Sequence, residues 1–229
     1  MQVIVFDTET TGLRPGSICQ LAYIVAEIPK EGGGGGVGGG AGGSGSAGGA
    51  GGSGDSAGSG GSGEGVVEAK NMYFTVGYVP KSASDIHGLT ADKLRELSGG
   101  KSFKDRVNEI KADFAACDLW IAHNIDFDRS FLLMEFLRVG RPPREARNYC
   151  TMKELAPECK LPPTRGGSSY KYPTLKEAVE HLGIKDEDIR ALCADAFRAD
   201  ISERFHDARY DVAATYLCFR AAVALGIAP

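Results

Sequence analysis

The chain has 229 residues, of which 42% are hydrophobic and 24% are charged. This composition suits one globular domain with a full core and excludes a chain that is disordered throughout. The 26 basic and 30 acidic residues give a formal net charge of −4, which excludes the strongly basic surface of a non-specific nucleic-acid binder. Any affinity for a polyanion therefore has to come from local patches or bound cations.

The first predicted strand places two acids side by side. It starts with the apolar residues 3–6, ends with Asp7 and Glu9, and leads into Thr10-Thr11-Gly12. Side chains two positions apart in a strand share a face, so Asp7 and Glu9 are expected to be neighbours. Two carboxylates at the rim of a core repel each other and resist desolvation. The pattern indicates a partner of positive charge that this part of the sequence does not supply.

A glycine-rich segment follows the second predicted strand. Residues 32–65 contain 21 of the 32 glycines, cannot bury enough apolar surface to offset their ordering entropy, and are predicted to be disordered. Strand-like runs at 17–28 and 66–80 flank this segment, and tens of extra loop residues cost about 2 kcal/mol of closure entropy. We interpret the segment as a hairpin insert in a single domain spanning 1–229, with an inter-domain linker as the alternative.

Apolar spacing predicts a regular series of elements after the hairpin. The predicted helices span residues 91–97, 103–116, 127–139, 174–182, 186–197 and 207–225. The predicted strands span 119–122 and 147–150. This order predicts an α/β domain with a mixed five-stranded sheet, helices on both faces and the first strand at the centre.

Further acids occur where later elements begin. Asp128 follows the strand at 119–122 and falls in the first turn of the next helix, at the sheet edge that receives Asp7 and Glu9. Asp211 lies about one turn into the last helix. Its first residue, Asp207, is predicted to be the N-cap or an acid of the first turn, and His206 directly precedes it.

Four carboxylates and one histidine match the residues needed for two-metal phosphodiester hydrolysis. Hard Mg²⁺ or Mn²⁺ ions take oxygen ligands and keep positions open for phosphate and water. Two such ions about 4 Å apart can clamp the attacking and leaving oxygens, and a neutral imidazole can accept the proton of the water. Two divalent cations, as cofactors, would explain why these acids are adjacent.

Three segments resemble the motifs of a known enzyme family. FDTETTGL, AHNIDFD and HDARYDVAAT are similar to the three motifs of the DEDDh (DnaQ-like) 3′-to-5′ exonucleases, which have a ribonuclease H-like fold. IHGLT, YCTMK and KYPTLKEAVEHLGI are similar to connecting segments of that family, so the resemblance covers nearly the whole chain apart from the glycine-rich segment. The residues that it implies to be catalytic are Asp7, Glu9, Asp128 and Asp211 as metal ligands and His206 as general base.

The resemblance also implies substrate contacts. Thr10, Thr11 and Leu13 would line a pocket for the 3′-terminal nucleotide, with Leu13 against a base. Two roles are considered for Asn124: a contact to that nucleotide, or a side chain that caps the following helix. One departure is Gln20, where many family members carry Glu; it is not expected to touch an inferred ligand.

Two acids compete for one ligand position. Asp126 and Asp128 both lie near the start of the same helix, and Phe127, Phe131 and Leu132 are expected to face the core. Together with the family resemblance, this periodicity favours Asp128 as the ligand and Asp126 as the helix N-cap.

The implied activity is 3′-to-5′ exonucleolytic hydrolysis of single-stranded or frayed DNA or RNA, releasing 5′-mononucleotides. The alternatives are a polymerase-associated proofreading subunit, which differs in its partner, and a non-catalytic nucleic-acid-binding module. The expected partners are 3′ ends of single-stranded nucleic acid and a polymerase or repair complex. The segment 160–173, with Arg165, Tyr170, Lys171 and Tyr172, is a predicted basic loop that either holds a strand by charge and stacking or is merely solvated.

Cysteine usage and hydropathy favour an intracellular protein. The six cysteines include no CxxC pair, which favours reduced thiols over disulfides or a zinc site. No apolar run approaches 18 residues and no targeting signal is seen. We therefore expect a cytoplasmic or nuclear location without a membrane partner.

Overall fold

The computed structural model describes residues 1–13, 16–29, 65–163, 169–199 and 205–229. The predicted disorder of the glycine-rich segment 32–65 therefore concerns residues that, apart from Gly65, lie outside the described part of the chain. Residues 164–168 of the predicted basic loop, including Arg165, also lie outside it.

Five strands form one mixed sheet. Its order is β3 (Val66–Tyr73), β2 (Ile18–Glu27), β1 (Gln2–Thr10), β4 (Leu119–Ala122) and β5 (Arg147–Cys150). The pairs β3–β2 and β2–β1 are antiparallel, whereas β1–β4 and β4–β5 are parallel. The predicted mixed five-stranded sheet with β1 at its centre is confirmed.

Helices cover both faces of this sheet. In the described part of the chain they are α1 (Lys81–His87), α2 (Ala91–Leu97), α3 (Phe103–Ala116), α4 (Ile125–Arg138), α5 (Thr151–Glu154), α6 (Ala156–Cys159), α7 (Leu175–His181), α8 (Asp186–Phe197) and α9 (Ala208–Ala224). The six predicted helices are confirmed within two residues at each end. No helix in the described ranges is long and apolar enough to cross a membrane.

The prediction was wrong about residues 74–80 and missed the three helices α1, α5 and α6. The strand β3 ends at Tyr73, not at Pro80, and α1 begins directly after Pro80. The fixed φ of proline suits the start of a helix and not a sheet interior. The helices α5 and α6 have four residues each, which is too short to show a helical period.

The central strand alternates between two apolar cores. Val3 and Val5 pack into the core that α7, α8 and α9 cover, while Ile4 and Phe6 pack into the core that includes Phe114 of α3. By the same alternation, Asp7 and Glu9 point towards the side of α9, and Thr8 towards the side of α4. The strand thus distributes its last side chains between two helices.

All six cysteines are buried and free. The expectation of reduced thiols therefore agrees with the structure, and the sulfurs contribute to packing, as buried free cysteine usually does.

Removal of the Phe114 ring should destabilise the protein strongly. The ring packs edge-on against Phe6 and Trp120 with centroids 5.1 Å away and against Tyr23 at 5.5 Å. Phe114→Ala is expected to cost about 3–5 kcal/mol of unfolding free energy through lost burial and a cavity. Urea unfolding measures this cost, and Leu137→Ala, at a position 61% exposed, serves as the control. Equal costs for the two variants would contradict this account of the core.

Candidate active site

The edge of the sheet at the end of β1 collects carboxylates from three elements. Glu9 is buried and Asp7 is half-buried at the end of the strand. Asp128 lies in the first turn of α4, and Asp211 lies in the first turn of α9; both are buried. The four acids that the sequence predicts as ligands therefore meet in one place, as their mutual electrostatic effects also show.

Asp128 is held by the residue between the two strand acids. Its Oδ1 accepts hydrogen bonds from the backbone N–H of Thr8 at 3.0 Å and from the Thr8 hydroxyl at 2.8 Å. Thr8 can reach α4 because its side chain leaves β1 on the face opposite to Asp7 and Glu9. The aspartate is thus fixed in position while the strand acids point to α9.

Asp211 has one paired and one unpaired oxygen. Its Oδ2 accepts a hydrogen bond from the backbone N–H of His206 at 3.1 Å. Its Oδ1 is buried and has no hydrogen-bond partner among the described residues. A buried carboxylate oxygen without a partner is costly, so this atom fits a ligand that binds a cation.

His206 lies at the rim of this acid cluster. It precedes α9 with a φ of 75°, a left-handed conformation that is uncommon for a residue with a side chain and is often associated with functional sites. Its side chain is exposed. One of its ring nitrogens lies within 4.8 Å of carboxylate oxygens of both Glu9 and Asp211.

Burial and mutual repulsion disfavour ionisation of the cluster. Burial, aided by the charge of Asp207, raises the pKa of Asp7 to about 7. Burial and then the charges of the neighbouring acids, Asp7 first, raise the pKa of Glu9 to about 10. The pKa values of Asp128 and Asp211 are raised well above the ordinary value, first by burial and then by Asp7. Such raised pKa values are expected where carboxylates are buried together without a compensating positive charge.

A separate ion pair borders the cluster. Asp207 is the N-cap of α9, as predicted, and its carboxylate accepts two side-chain hydrogen bonds from Arg209, at 2.9 and 2.5 Å. Although burial opposes ionisation, these bonds hold the pKa of Asp207 below its ordinary value. Gln20 Nε2 donates to the same carboxylate at 3.3 Å and to Asn71 at 2.8 Å. Gln20 thus supports the N-cap and not a predicted ligand, in agreement with the sequence analysis.

The helix cap near Asp128 differs from the prediction. The N-cap of α4 is Asn124, with a φ of 75°, and its side chain makes no capping hydrogen bond within the described structure. Asp126 is therefore not the cap. It lies in the first turn, where its carboxylate is exposed and pairs with Lys153 at 2.5 Å. Asparagine adopts the left-handed conformation more readily than most residues. Because Asn124 has this non-helical conformation, α4 begins at the next residue, Ile125.

An apolar cavity of about 290 Å³ opens beside the acids. Its lining residues are Thr8, Glu9, Thr10, Gly12, Leu13, Ser82, Ala83, Ile86, His87 and Phe127. Two of the predicted substrate contacts, Thr10 and Leu13, belong to this lining. Thr11 and Asn124 do not: the Thr11 hydroxyl accepts a hydrogen bond from the backbone of Ser17 at 3.0 Å.

His87 is a cavity residue whose role the sequence left open. Its Nδ1 accepts from the backbone N–H of Leu89 at 3.1 Å, so Nε2 carries the proton and donates to the carbonyl of Thr10 at 3.2 Å. Burial lowers the pKa of His87, which keeps the ring neutral and this tautomer in place. The bond joins α1 to the end of β1, a contact across 77 positions that no local pattern could have indicated.

The donor set fits divalent cations. Its ligand atoms are carboxylate oxygens, which suit hard divalent cations. The raised pKa values and the unpaired Oδ1 of Asp211 are the physical signs that positive charge belongs here.

Comparisons with known proteins locate the fold. No protein-family model matches the sequence, and no curated protein matches it. The zinc-bound complex of E. coli exonuclease I with single-stranded DNA aligns with a TM-score of 0.62 at 16% identity, over 97% of this chain and 40% of that one. The E. coli exonuclease I complex with a dA16 oligonucleotide gives a TM-score of 0.59 at 16% identity, over 97% and 41% of the two chains.

A second species gives the same result. The moderately thermophilic exonuclease I of Methylocaldum szegediense aligns with a TM-score of 0.58 at 16% identity, over 96% of this chain and 40% of that one. At such identity the likeness shows the fold alone, and it confirms the ribonuclease H-like α/β fold. The chain spans about two fifths of the length of these proteins.

The metal-free protein should be destabilised by ionisation of Asp7. Its carboxyl loses a proton near pH 4 in an unfolded chain but at about pH 7 in the fold. Between about pH 4 and pH 7 the carboxyl therefore keeps its proton in the folded state and loses it in the unfolded state. The stability of the fold falls as the pH rises through this range. In EDTA, Asp7→Asn should melt several degrees above the wild type at pH 8 and by a smaller margin at pH 5, since each kcal/mol shifts the melting temperature by about 2–4 °C.

Thermal melts with and without Mg²⁺ check this expectation. Mg²⁺ at pH 8 should stabilise the wild type more than Asp7→Asn, because binding to the folded state alone raises stability. Asp195→Asn, at an exposed position of α8, is the control and should melt like the wild type throughout. A lower melting temperature for Asp7→Asn than for the wild type at pH 8 in EDTA would refute the repulsion argument.

Proposed function

We propose that this protein is a metal-dependent exonuclease that shortens single-stranded or frayed DNA or RNA from the 3′ end and releases 5′-mononucleotides. The observation that carries the proposal is the cluster of Glu9, Asp211 and His206, whose ligand atoms lie within 4.8 Å of one another, beside a buried, unpaired oxygen of Asp211. Asp7 and Asp128 join this cluster, since the charge of each raises the pKa of Glu9. We also propose that residues 1–229 form one exonuclease domain in which 32–65 is an insert.

The four carboxylates would hold two Mg²⁺ or Mn²⁺ ions. Such ions, when bound, supply an activated water and neutralise charge on the phosphate that is attacked. Thr8 keeps Asp128 in position through two hydrogen bonds, and the backbone of His206 does the same for Asp211. The exposed imidazole of His206 can accept the proton of the attacking water and pass it to solvent.

The cavity supports a terminal nucleotide as the group that is removed. Thr10 and Leu13 line it next to Glu9, so a sugar and base held there would bring the adjoining phosphodiester to the acids. Thr11, which lies between the lining residues Thr10 and Gly12 in the sequence, and Asn124, the N-cap of α4, remain proposed substrate contacts. A strand end fits such a cavity, whereas the interior of a strand would have to continue through its wall, which favours exonucleolytic over endonucleolytic cleavage.

The structural neighbours support the same substrate class. Exonuclease I of E. coli has been solved with single-stranded DNA, with a dA16 oligonucleotide and in a zinc-bound form. A non-catalytic binding module on the same fold is disfavoured because all four acids and the histidine are in place. A proofreading subunit would share this chemistry and differ in its partner, a polymerase or repair complex.

Loss of a ligand should abolish hydrolysis. Substitution of groups that merely support metal ligands costs about 10- to 100-fold, so Asp211→Asn is expected to reduce the rate by at least about 100-fold. The assay follows 5′-labelled DNA and RNA strands, with a 3′ hydroxyl or a 3′ phosphate, in Mg²⁺, Mn²⁺ or EDTA. Asp126→Asn is the control, because Asp126 faces Lys153 outside the cluster, and should stay active.

The product pattern decides the direction of cleavage. A ladder that shortens from the 3′ end and disappears in EDTA is the expected result. Products cut at internal positions, or a rate that EDTA leaves unchanged, would exclude the proposed activity.

His206 should affect turnover more than metal affinity. General base catalysis contributes about 10²- to 10⁴-fold, so His206→Ala should lower kcat within that range. The Mg²⁺ concentration that gives half-maximal rate should change far less. His181→Ala, which removes a partly exposed imidazole near Glu158, is the control. A variant of His206 with wild-type kcat, or one rescued fully by more Mg²⁺, would rule out the general-base role.

A further inference from the structure

Two exposed tyrosines stand on the segment before α7. Tyr170 is 48% exposed and Tyr172 is 54% exposed, although rings of this size are usually more buried. The residue between them, Lys171, is tied down: its N–H donates to the carbonyl of Leu161 at 3.2 Å and its Nζ pairs with Glu177 at 2.6 Å. We call Tyr170 and Tyr172 the tyrosine platform.

A histidine of the sheet edge anchors this platform. His123 directly follows β4, which runs parallel to β1, so both strands end at the same edge. Its Nε2 donates to the carbonyl of Pro173 at 3.0 Å, and its Nδ1 accepts from the Thr151 hydroxyl at 3.0 Å. The carbonyl can only accept, which fixes this tautomer. His123 thereby holds the segment before α7 at the edge of the sheet where β1 and β4 both end.

The platform and the cavity lie on two sides of the first turn of α4. Phe127 lines the cavity, whereas Asp126, one residue earlier, pairs with Lys153. Tyr172 directly precedes Pro173, whose carbonyl is bound by His123, two residues before α4 begins. Asp128 lies in this same turn. A strand whose last nucleotide occupies the cavity and whose scissile phosphate reaches the acids would leave past this turn towards the tyrosines.

The charges near the platform favour bases over phosphates as the group that is bound. Within the described residues, Lys153 and Lys171 near the tyrosines already pair with Asp126 and Glu177. The groups that remain for a bound strand to contact are therefore the flat faces of the two tyrosine rings. Nucleobases stack on such faces with little dependence on sequence.

We propose that Tyr170 and Tyr172 bind the single strand on the 5′ side of its terminal nucleotide by stacking on its bases. The inference rests on the proposed exonuclease function and extends it from the terminal nucleotide to the body of the strand. Binding through this surface depends weakly on salt, because few counterions are released when bases and not phosphates are contacted.

Fluorescence anisotropy with a labelled 12-nucleotide DNA strand tests the platform, in the inactive Asp211→Asn background so that the strand stays intact. The Tyr170→Ala/Tyr172→Ala double variant should bind at least about 5-fold more weakly, since one stacked base accounts for roughly 5- to 150-fold in affinity. The matched Tyr170→Phe/Tyr172→Phe variant keeps both rings and should bind like its parent. The slope of log affinity against log salt should be the same for all three proteins.

A strand with abasic residues upstream of its last two nucleotides supplies the second half of the test. It keeps the phosphates and lacks the bases, so the parent should bind it more weakly than the intact strand, and the double alanine variant should lose nothing further. Equal binding of the intact strand by alanine variant and parent would overturn the proposal. A further loss on the abasic strand would also overturn it, because the rings would then act without bases.

Cleavage assays keep this inference separate from the proposed function. The double alanine variant in the active protein should cleave a dinucleotide, which has no nucleotide upstream of its last two, at the wild-type rate, and should show a raised KM for the 12-nucleotide strand. Absence of 3′ shortening by the wild type would reject the exonuclease, while wild-type KM for both substrates would reject the platform alone. Unchanged melting temperatures identify these effects as losses of contact and not of folding.

Discussion

Repulsion between buried carboxylates is the constraint on which this structure depends. The central strand leaves a dry core and brings Asp7 and Glu9 to the sheet edge, where burial and neighbouring charge both oppose ionisation. The helices α4 and α9 add Asp128 and Asp211 to this place. A chain that folds in this way keeps repelling carboxylates together, and binding of the proposed cations there would link metal affinity to folding free energy.

The protein limits this repulsion by giving single acids fixed hydrogen-bond donors. Thr8 holds one oxygen of Asp128, and the backbone N–H of His206 holds one oxygen of Asp211. Arg209 neutralises Asp207 beside the cluster. These contacts fix the orientation of the carboxylates, which is the role of supporting residues around a metal site.

The first turn of α4 organises the surroundings of the acids. On one side is the apolar cavity, bounded by Phe127 and by His87, whose ring fixes the carbonyl at the end of β1. On the other side is the open tyrosine platform, held by His123. An enclosed space suits a chain terminus, and an open surface suits the strand that leads to it. The two surfaces differ as the two parts of the proposed substrate differ.

The sequence by itself determined the sheet, the six longer helices and the elements that carry the four acids, because strand alternation and helical period are local patterns. Only the tertiary structure decided that Asn124 and not Asp126 caps α4, that His87 bonds to Thr10, and that one oxygen of Asp211 is left unpaired. It also revealed α1, α5 and α6, of which α5 and α6 contain too few residues for a period. Such details depend on which atoms meet across tens of positions, and no pattern within a segment encodes the packing that brings them together.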